Sequence, residues 1–235
     1  MRIQKIAPAR WLAAVVLPLL TACGPTDPSD ALRALGDYQK GLITYYDANG
    51  TGNCLYDPSP QNLDVAAIWL GQFQESAICG ACAEVEGPKG TLRVRIVDSC
   101  PDCTTPGHLD LSREAFAKIA DPVAGRVDVR WRLVTCEVQG PLRYRFKEGS
   151  SQYWTAIQVF NHRIPVTKLE YWKNSAWVAV KRESYNYFVE PKGMGTGPLK
   201  LRVTGLDGQV LEDTLPGIVG DNSKIFDGSA QFKAN

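Results

Sequence analysis

From Gly41 onward, short runs of alternating apolar and polar residues fill most of the chain, and turn-forming clusters separate them. Leu92, Val94 and Ile96 alternate with Thr91, Arg93 and Arg95, the period-two pattern of a strand with one buried face. Leu42–Tyr46, Ala81–Val85 and Val127–Val134 are read as further strands, and Asp47–Asn53 as a loop. One segment switches to helical spacing. In Arg113–Ile119, Ala115, Phe116 and Ile119 share a face, and Ser112 supplies the N-cap oxygen. Past the break Gln139-Gly140-Pro141 come six more runs: Tyr144–Phe146, Ala156–Phe160, Lys168–Trp172, Trp177–Lys181, Leu199–Val203 and Gln209–Thr214. Asn174-Ser175 and Asp207-Gly208 read as hairpin turns. Such strands with no long helix predict a small β-sandwich. A small sandwich needs large apolar residues, so Trp172, Trp177, Tyr187 and Phe188 are assigned to its core or core edge.

The first residues follow a different pattern. Arg2, Lys5 and Arg10 precede the apolar run Trp11–Leu20, which is too short to span a bilayer comfortably and has the layout of an export signal. Leu20-Thr21-Ala22-Cys23 resembles a bacterial lipobox. Residues 1–22 are expected to be removed, leaving Cys23 to carry acyl chains that anchor the protein without spanning the membrane. The alternative is an ordinary cleaved signal. Residues 23–40 hold Pro25, Pro28, Ser29 and three aspartates, and read as a tether.

Apart from Cys23, six cysteines remain: Cys54, Cys79, Cys82, Cys100, Cys103 and Cys136. An even set in an exported protein predicts disulfides, with 15 pairings open. Cys79-x-x-Cys82 and Cys100-x-x-Cys103 also have zinc-ligand spacing, but export to an oxidising compartment argues against zinc. No metal or other cofactor is expected.

The mature length accommodates two domains, expected at 41–138 and 143–235. The signal carries three of the 26 basic residues, which leaves the mature chain at −2. The two halves differ: residues 41–142 sum to −5 and residues 143–235 to +4. This polarity is too small for a nucleic-acid footprint. It would help the second half approach an anionic wall polymer, although an ordinary solvated surface explains it equally well.

The candidate chemistry lies in the run Val97-Asp98-Ser99-Cys100-Pro101-Asp102-Cys103, followed by His108-Leu109-Asp110-Leu111-Ser112. A strand delivers Asp98 to a cysteine-braced turn, and Asp110 follows. The chain has only two histidines, so carboxylates are the candidate acid groups. For Asp98 the alternative role is to bind backbone N–H groups of the turn, and a structural role for Asp110 is equally open. His108 reads as a solvated turn residue and His162 as structural.

Several runs resemble a bacterial expansin over nearly the whole mature chain. They include Gly41-Leu42-Ile43-Thr44-Tyr45-Tyr46, Glu84–Gly90, Val97-Asp98, His108–Ser112, Trp131–Val134, Lys147–Trp154, Ala156–Val159, Asn161-His162 and Gly195–Lys200. Their order and spacing make the resemblance specific. It implies an all-β protein, a six-stranded double-psi β-barrel followed by an immunoglobulin-like β-sandwich. The implied activity is non-hydrolytic loosening of plant cell walls. In the family, Asp98 matches the aspartate required for loosening, and Thr44, Tyr46 and Asp110 match or lie at groove positions. Tyr153, Trp154 and Tyr185 match the aromatic binding surface, and Lys147 a basic residue near it. Disulfide-bonded relatives imply the pairs Cys54–Cys79, Cys82–Cys136 and Cys100–Cys103. One departure is clear: bacterial members often carry a tyrosine where this chain has Cys100.

Glycoside hydrolysis usually needs two carboxyl groups held about 5 to 9.5 Å apart. If Thr44 lines the groove, alternation turns Asp47 to the other face unless the strand has already ended at Tyr46, leaving one acid and no convincing base. A single acid could still serve by donating to a glucan hydroxyl. The implied partners are cellulose and plant-wall matrix glucans, with peptidoglycan as a further polymer. No nucleic acid is expected, membrane contact is expected only through the lipid anchor, and a monomer is the default. The competing readings are a polysaccharide-cleaving enzyme, either a family-45-like endoglucanase or a peptidoglycan lytic transglycosylase, and a carbohydrate-binding adhesin.

Overall fold

The computed structural model describes residues 33–218 and 224–234, so the export signal, Cys23 and the start of the tether lie outside the described residues. Six strands close the first domain: β1 (Gln39–Tyr46), β2 (Val65–Trp69), β3 (Cys82–Gly87), β4 (Gly90–Cys100), β5 (His108–Ser112) and β6 (Val127–Val134). They pair around the ring in the order β1-β5-β2-β4-β3-β6. The β1/β5 and β2/β4 pairs are parallel and the other four are antiparallel. Closure leaves no exposed strand edge. Ile43, Ile68, Val85, Val94, Ile96, Leu109, Leu111 and Trp131 fill the core.

A four-residue helix, α1 (Leu70–Phe73), follows β2, and α2 (Arg113–Ile119) follows β5. The Ser112 hydroxyl accepts the Ala115 N–H at 2.9 Å, and Ala115, Phe116 and Ile119 are buried, as the helical spacing predicts.

Three features depart from the sequence reading. β2 and β5 are strands where alternation gave no signal, because Val65–Ile68 and all of β5 except Asp110 are buried. A strand covered on both faces loses its polar positions, and with them its period. His108 is therefore the first residue of a strand and only 5% exposed, not a solvated turn residue. β4 runs on to Cys100, which sets Asp98 within the strand.

The three disulfides lie in the barrel domain. Cys54–Cys79 joins the segments before β2 and β3, Cys82–Cys136 ties β3 to the exit of the barrel, and Cys100–Cys103 closes the turn after β4.

The second domain comprises β7 (Arg143–Phe146), β8 (Thr155–Phe160), β9 (Val166–Lys173), β10 (Ala176–Arg182), β11 (Phe188–Glu190), β12 (Leu199–Gly205), β13 (Val210–Leu215) and β14 (Ile225–Asp227). All its strand pairs are antiparallel, in the order β13-β12-β9-β10-β11-β8-β7-β14. Tyr144, Ile157, Val159, Leu169, Tyr171, Phe188, Leu201, Val203 and Phe232 form its core. The β9–β10 turn places Asn174 and Ser175 at φ +50° and +61°, as a two-residue hairpin requires.

Trp172 and Trp177 are not core residues. They pair across β9 and β10 on the outer face, with Trp172 44% exposed and the rings 5.2 Å apart. Alternation fixes this, since Leu169 and Tyr171 already occupy the inward positions of β9.

A polar seam joins the domains. The Cys54 carbonyl accepts from Gln158 Nε2 at 2.9 Å and from Asn186 Nδ2 at 3.0 Å. Arg145 donates two bonds to Asp57, and Arg182 donates to the Ser76 carbonyl. Asn161 Nδ2 holds the linker through the Gln139 and Pro141 carbonyls, both at 2.8 Å.

Candidate functional site

Strand register gathers the candidate residues of the barrel into one row. Thr44 on β1 pairs with Asp110 on β5, Asp110 pairs with Ala67 on β2, and Ala67 pairs with Asp98 on β4. Neighbouring strands lie about 4.8 Å apart, so the row spans roughly 14 Å. Two carboxyl-bearing residues therefore flank a methyl group, with a hydroxyl at one end.

Each acid is held differently. Asp98 Oδ1 accepts the Asn53 N–H at 2.6 Å and the Ser99 N–H at 2.8 Å. Its Oδ2 has no hydrogen-bond partner among the described residues. Gly52 makes this approach possible: a Cβ there would sit 2.4 Å from Asp98 Cγ. Asp110 Oδ1 accepts the Thr44 hydroxyl at 2.5 Å, and His108 Nε2 lies 3.0 Å from the same oxygen of Thr44. Burial raises the Asp110 pKa, against the Thr44 hydrogen bond. Burial lowers that of His108, against the neighbouring Asp110 charge.

Tyr46 shares the face of Thr44. Its hydroxyl is buried without a hydrogen-bond partner among the described residues. Burial, followed by the charges of Asp98 and Asp110, pushes its pKa up, so the phenol keeps its proton and remains a donor. β1 ends at Tyr46, so alternation does not extend to Asp47, which pairs with Arg113 at 3.0 Å. The sequence reading had no place for Trp69. It pairs with Cys100 in the β2–β4 ladder, and with Tyr46 it packs against Ala67 and the Cys100–Cys103 disulfide. An aromatic ring therefore stands next to the position where the tyrosine is missing. The unrecognised strand β2 was the signal that could have revealed it.

The sandwich brings its aromatics to the outer side of β8 and β11. Trp154 and Tyr185 pack on a cluster of Ala156, Tyr187 and Val189, and the Tyr185 and Tyr187 rings lie 6.1 Å apart. Tyr153 is 74% exposed. Lys147 Nζ lies 5.7 Å from the Tyr187 ring centre. Tyr187 thus underlies the platform and not the main core. Asn53 bridges the two regions: its N–H binds Asp98, and its side-chain amide donates to the Ser184 carbonyl at 3.3 Å, next to Tyr185.

Among the described residues no group of three or more His, Cys, Asp or Glu side chains could hold a metal ion. Among them, too, no helix is long and apolar enough to cross a membrane.

Comparison with known proteins agrees with this architecture. The model of a family described as lytic transglycolase matches residues 65–131. Expansin-YoaJ of Bacillus subtilis is 40% identical over 191 residues, covering 79% of this chain and 82% of the relative. Expansin-like protein 5 of Dictyostelium discoideum is 32% identical over 215 residues, covering 84% and 89%. The crystal structure of apo Clavibacter michiganensis expansin superposes with a TM-score of 0.72 at 31% identity, covering 83% of this chain and 98% of that one. A point mutant of that expansin, solved in complex with cellohexaose, gives a TM-score of 0.73 at 31% identity.

Proposed function

Because the chain belongs to the expansin family, we propose that it binds cellulose and loosens plant cell walls by separating glucan chains without cleaving them. The observation that carries this reading is the run of groups from the Thr44–Asp110–Ala67–Asp98 row, across Asn53, to the aromatic platform of the sandwich. A glucan chain laid along it would meet hydroxyl and carboxylate partners on the barrel and flat rings on the sandwich. The solved expansin complex with cellohexaose supports a glucan as the ligand class.

Asp98 acts as an acceptor in this proposal, in place of the donor role suggested by the sequence. Two N–H groups occupy Oδ1, and Oδ2 receives a glucan O–H that would otherwise bond a neighbouring chain. The Tyr46 ring packs below the same face, and Thr44 holds Asp110 in place. Trp69 takes the stacking position that a tyrosine at residue 100 would fill. Trp154, Tyr153 and Tyr185 bind the sugar faces, with Lys147 beside them. Hydrolysis would need a second carboxyl group placed as base. Thr44 engages Asp110, and Asp47 is tied to Arg113. The protein is exported and acts outside the cell as a monomer, held by acyl chains on Cys23.

Constant-load extension of heat-inactivated plant-wall strips tests the proposal, with reducing ends counted in the same bath. Wild type should extend the strips without releasing reducing ends. Asp98→Asn should reduce extension to the buffer background while leaving cellulose pull-down unchanged. Reducing ends released from cellulose would replace this reading with a hydrolase. Release of fragments from peptidoglycan would replace it with the lytic activity for which the matching family model is described.

A further inference from the structure

A cleft of about 560 Å³ opens where the two domains meet, away from the groove. Groove and cleft use opposite ends of the same two strands. Asp98 lies toward the end of β4 and Trp154 just before β8, whereas the cleft takes Leu92–Arg95 of β4, Phe160 of β8, and Asn161 and His162 beyond it.

The charges lining the cleft are unbalanced. Arg93, Arg95 and Arg143 face Asp64 and Glu137. Both carboxylates are already engaged, Asp64 by Lys118 at 2.6 Å and Glu137 by Arg93 at 3.2 Å. Arg143 pairs with Asp227 at the rim. Among the described residues Arg95 has no carboxylate partner, and its guanidinium lies 5.5 Å from the Tyr56 ring centre. Arg182, near Tyr56 and His162, is also without a carboxylate partner, and burial brings its pKa down to about 10. His162, 4% exposed, also lines the cleft. A guanidinium without a carboxylate partner lines the cleft at Arg95, and an anion would compensate it.

We propose that this cleft binds the carboxylate of an acidic sugar, a uronic-acid residue of a wall polysaccharide. A guanidinium presents a planar fork of donors that fits a carboxylate through two bonds. Phe160 and Tyr56 supply rings against which a sugar face can pack, and Arg143 already stacks 5.4 Å from the Phe160 ring centre. The volume lies within the range of about 300–1,000 Å³ typical of small-ligand sites. A neutral glucan would leave Arg95 uncompensated, so the cleft and the groove select different polymers.

The experiment is calorimetric titration of the intact two-domain protein with trigalacturonate and, separately, with cellohexaose. Trigalacturonate should bind saturably, and Arg95→Gln should weaken it at least tenfold while leaving cellohexaose affinity within twofold of wild type. Arg93→Gln should weaken trigalacturonate severalfold and serves if Arg95→Gln lowers the melting temperature. The proposal is overturned if trigalacturonate shows no saturable binding to wild type, or if both variants bind it as wild type does. It is also overturned if equimolar inorganic phosphate displaces trigalacturonate completely, because the cleft would then be a simple anion site without a sugar requirement.

Discussion

In the barrel, which carries three disulfides, a closed ring of strands sets the register of a row of small polar groups, and Thr44 hydrogen-bonds Asp110 within it. The sandwich has no cysteine, and its candidate site is a set of rings resting on a buried cluster. The chemistry of each surface explains the contrast. Hydrogen bonds weaken steeply with distance and angle, so a row such as Thr44–Asp110–Ala67–Asp98 works only if the strands bearing it keep their register. Stacking on a sugar face tolerates small displacements, so hydrophobic packing alone can hold Trp154 and Tyr185.

The largest expected effect separates the two domains by stability. Replacing Cys82 and Cys136 with alanine should cost the barrel about 2–5 kcal/mol. Calorimetry should show the barrel transition falling while the sandwich transition stays. A single transition that moves as a whole would mean that the polar seam fuses the domains into one cooperative unit.

Next comes pH, since each domain carries one histidine. Burial lowers the His162 pKa from 6.5 to about 4 in the folded protein, and lowers that of His108 in the same direction. Below pH 6.5 the unfolded chain therefore binds a proton that the folded one refuses. The stabilisation is complete above pH 6.5 and is lost as pH falls toward 4, at most about 3 kcal/mol for His162. Denaturant melts of His162→Gln should be flatter across this window than wild type, and those of His108→Gln flatter to a lesser degree. If both variants keep the slope of wild type, carboxylates set it instead.

Smaller effects test the two surfaces. Trp154→Ala should reduce retention on microcrystalline cellulose about tenfold, or ~1.4 kcal/mol, without moving either melting transition. Unchanged retention would remove Trp154 from the platform. Gly52→Ala should lower wall extension severalfold while leaving retention intact, because its methyl group would displace Asp98. Full extension by this variant would show that the loosening site tolerates displacement as the platform does, and the contrast between the domains would disappear.

Where alternation was strong, the sequence predicted the elements closely. Val127–Val134 and the capped helix after Ser112 match, and the sandwich strands differ by two residues or fewer at most ends. Where burial on both faces erased the alternation, β2 and β5 were missed, and with them the burial of His108 and the position of Trp69 beside Cys100. Trp172 and Trp177 were misplaced for a related reason: hydrophobic size was read as burial, although the inward positions of β9 were already filled.

The amino-acid sequence by itself determined the strand-rich character, the two-part division and the capped helix after Ser112. These follow from local periodicity and composition, which act over a few residues. The row joining Thr44, Asp110, Ala67 and Asp98 was decided by tertiary structure alone, as was the Asn53 bridge to the sandwich. So was the arginine-lined cleft between the domains. Each depends on which strands become neighbours when the barrel closes and the domains dock. That choice is made by burial summed over the whole chain, and no short stretch of sequence contains it.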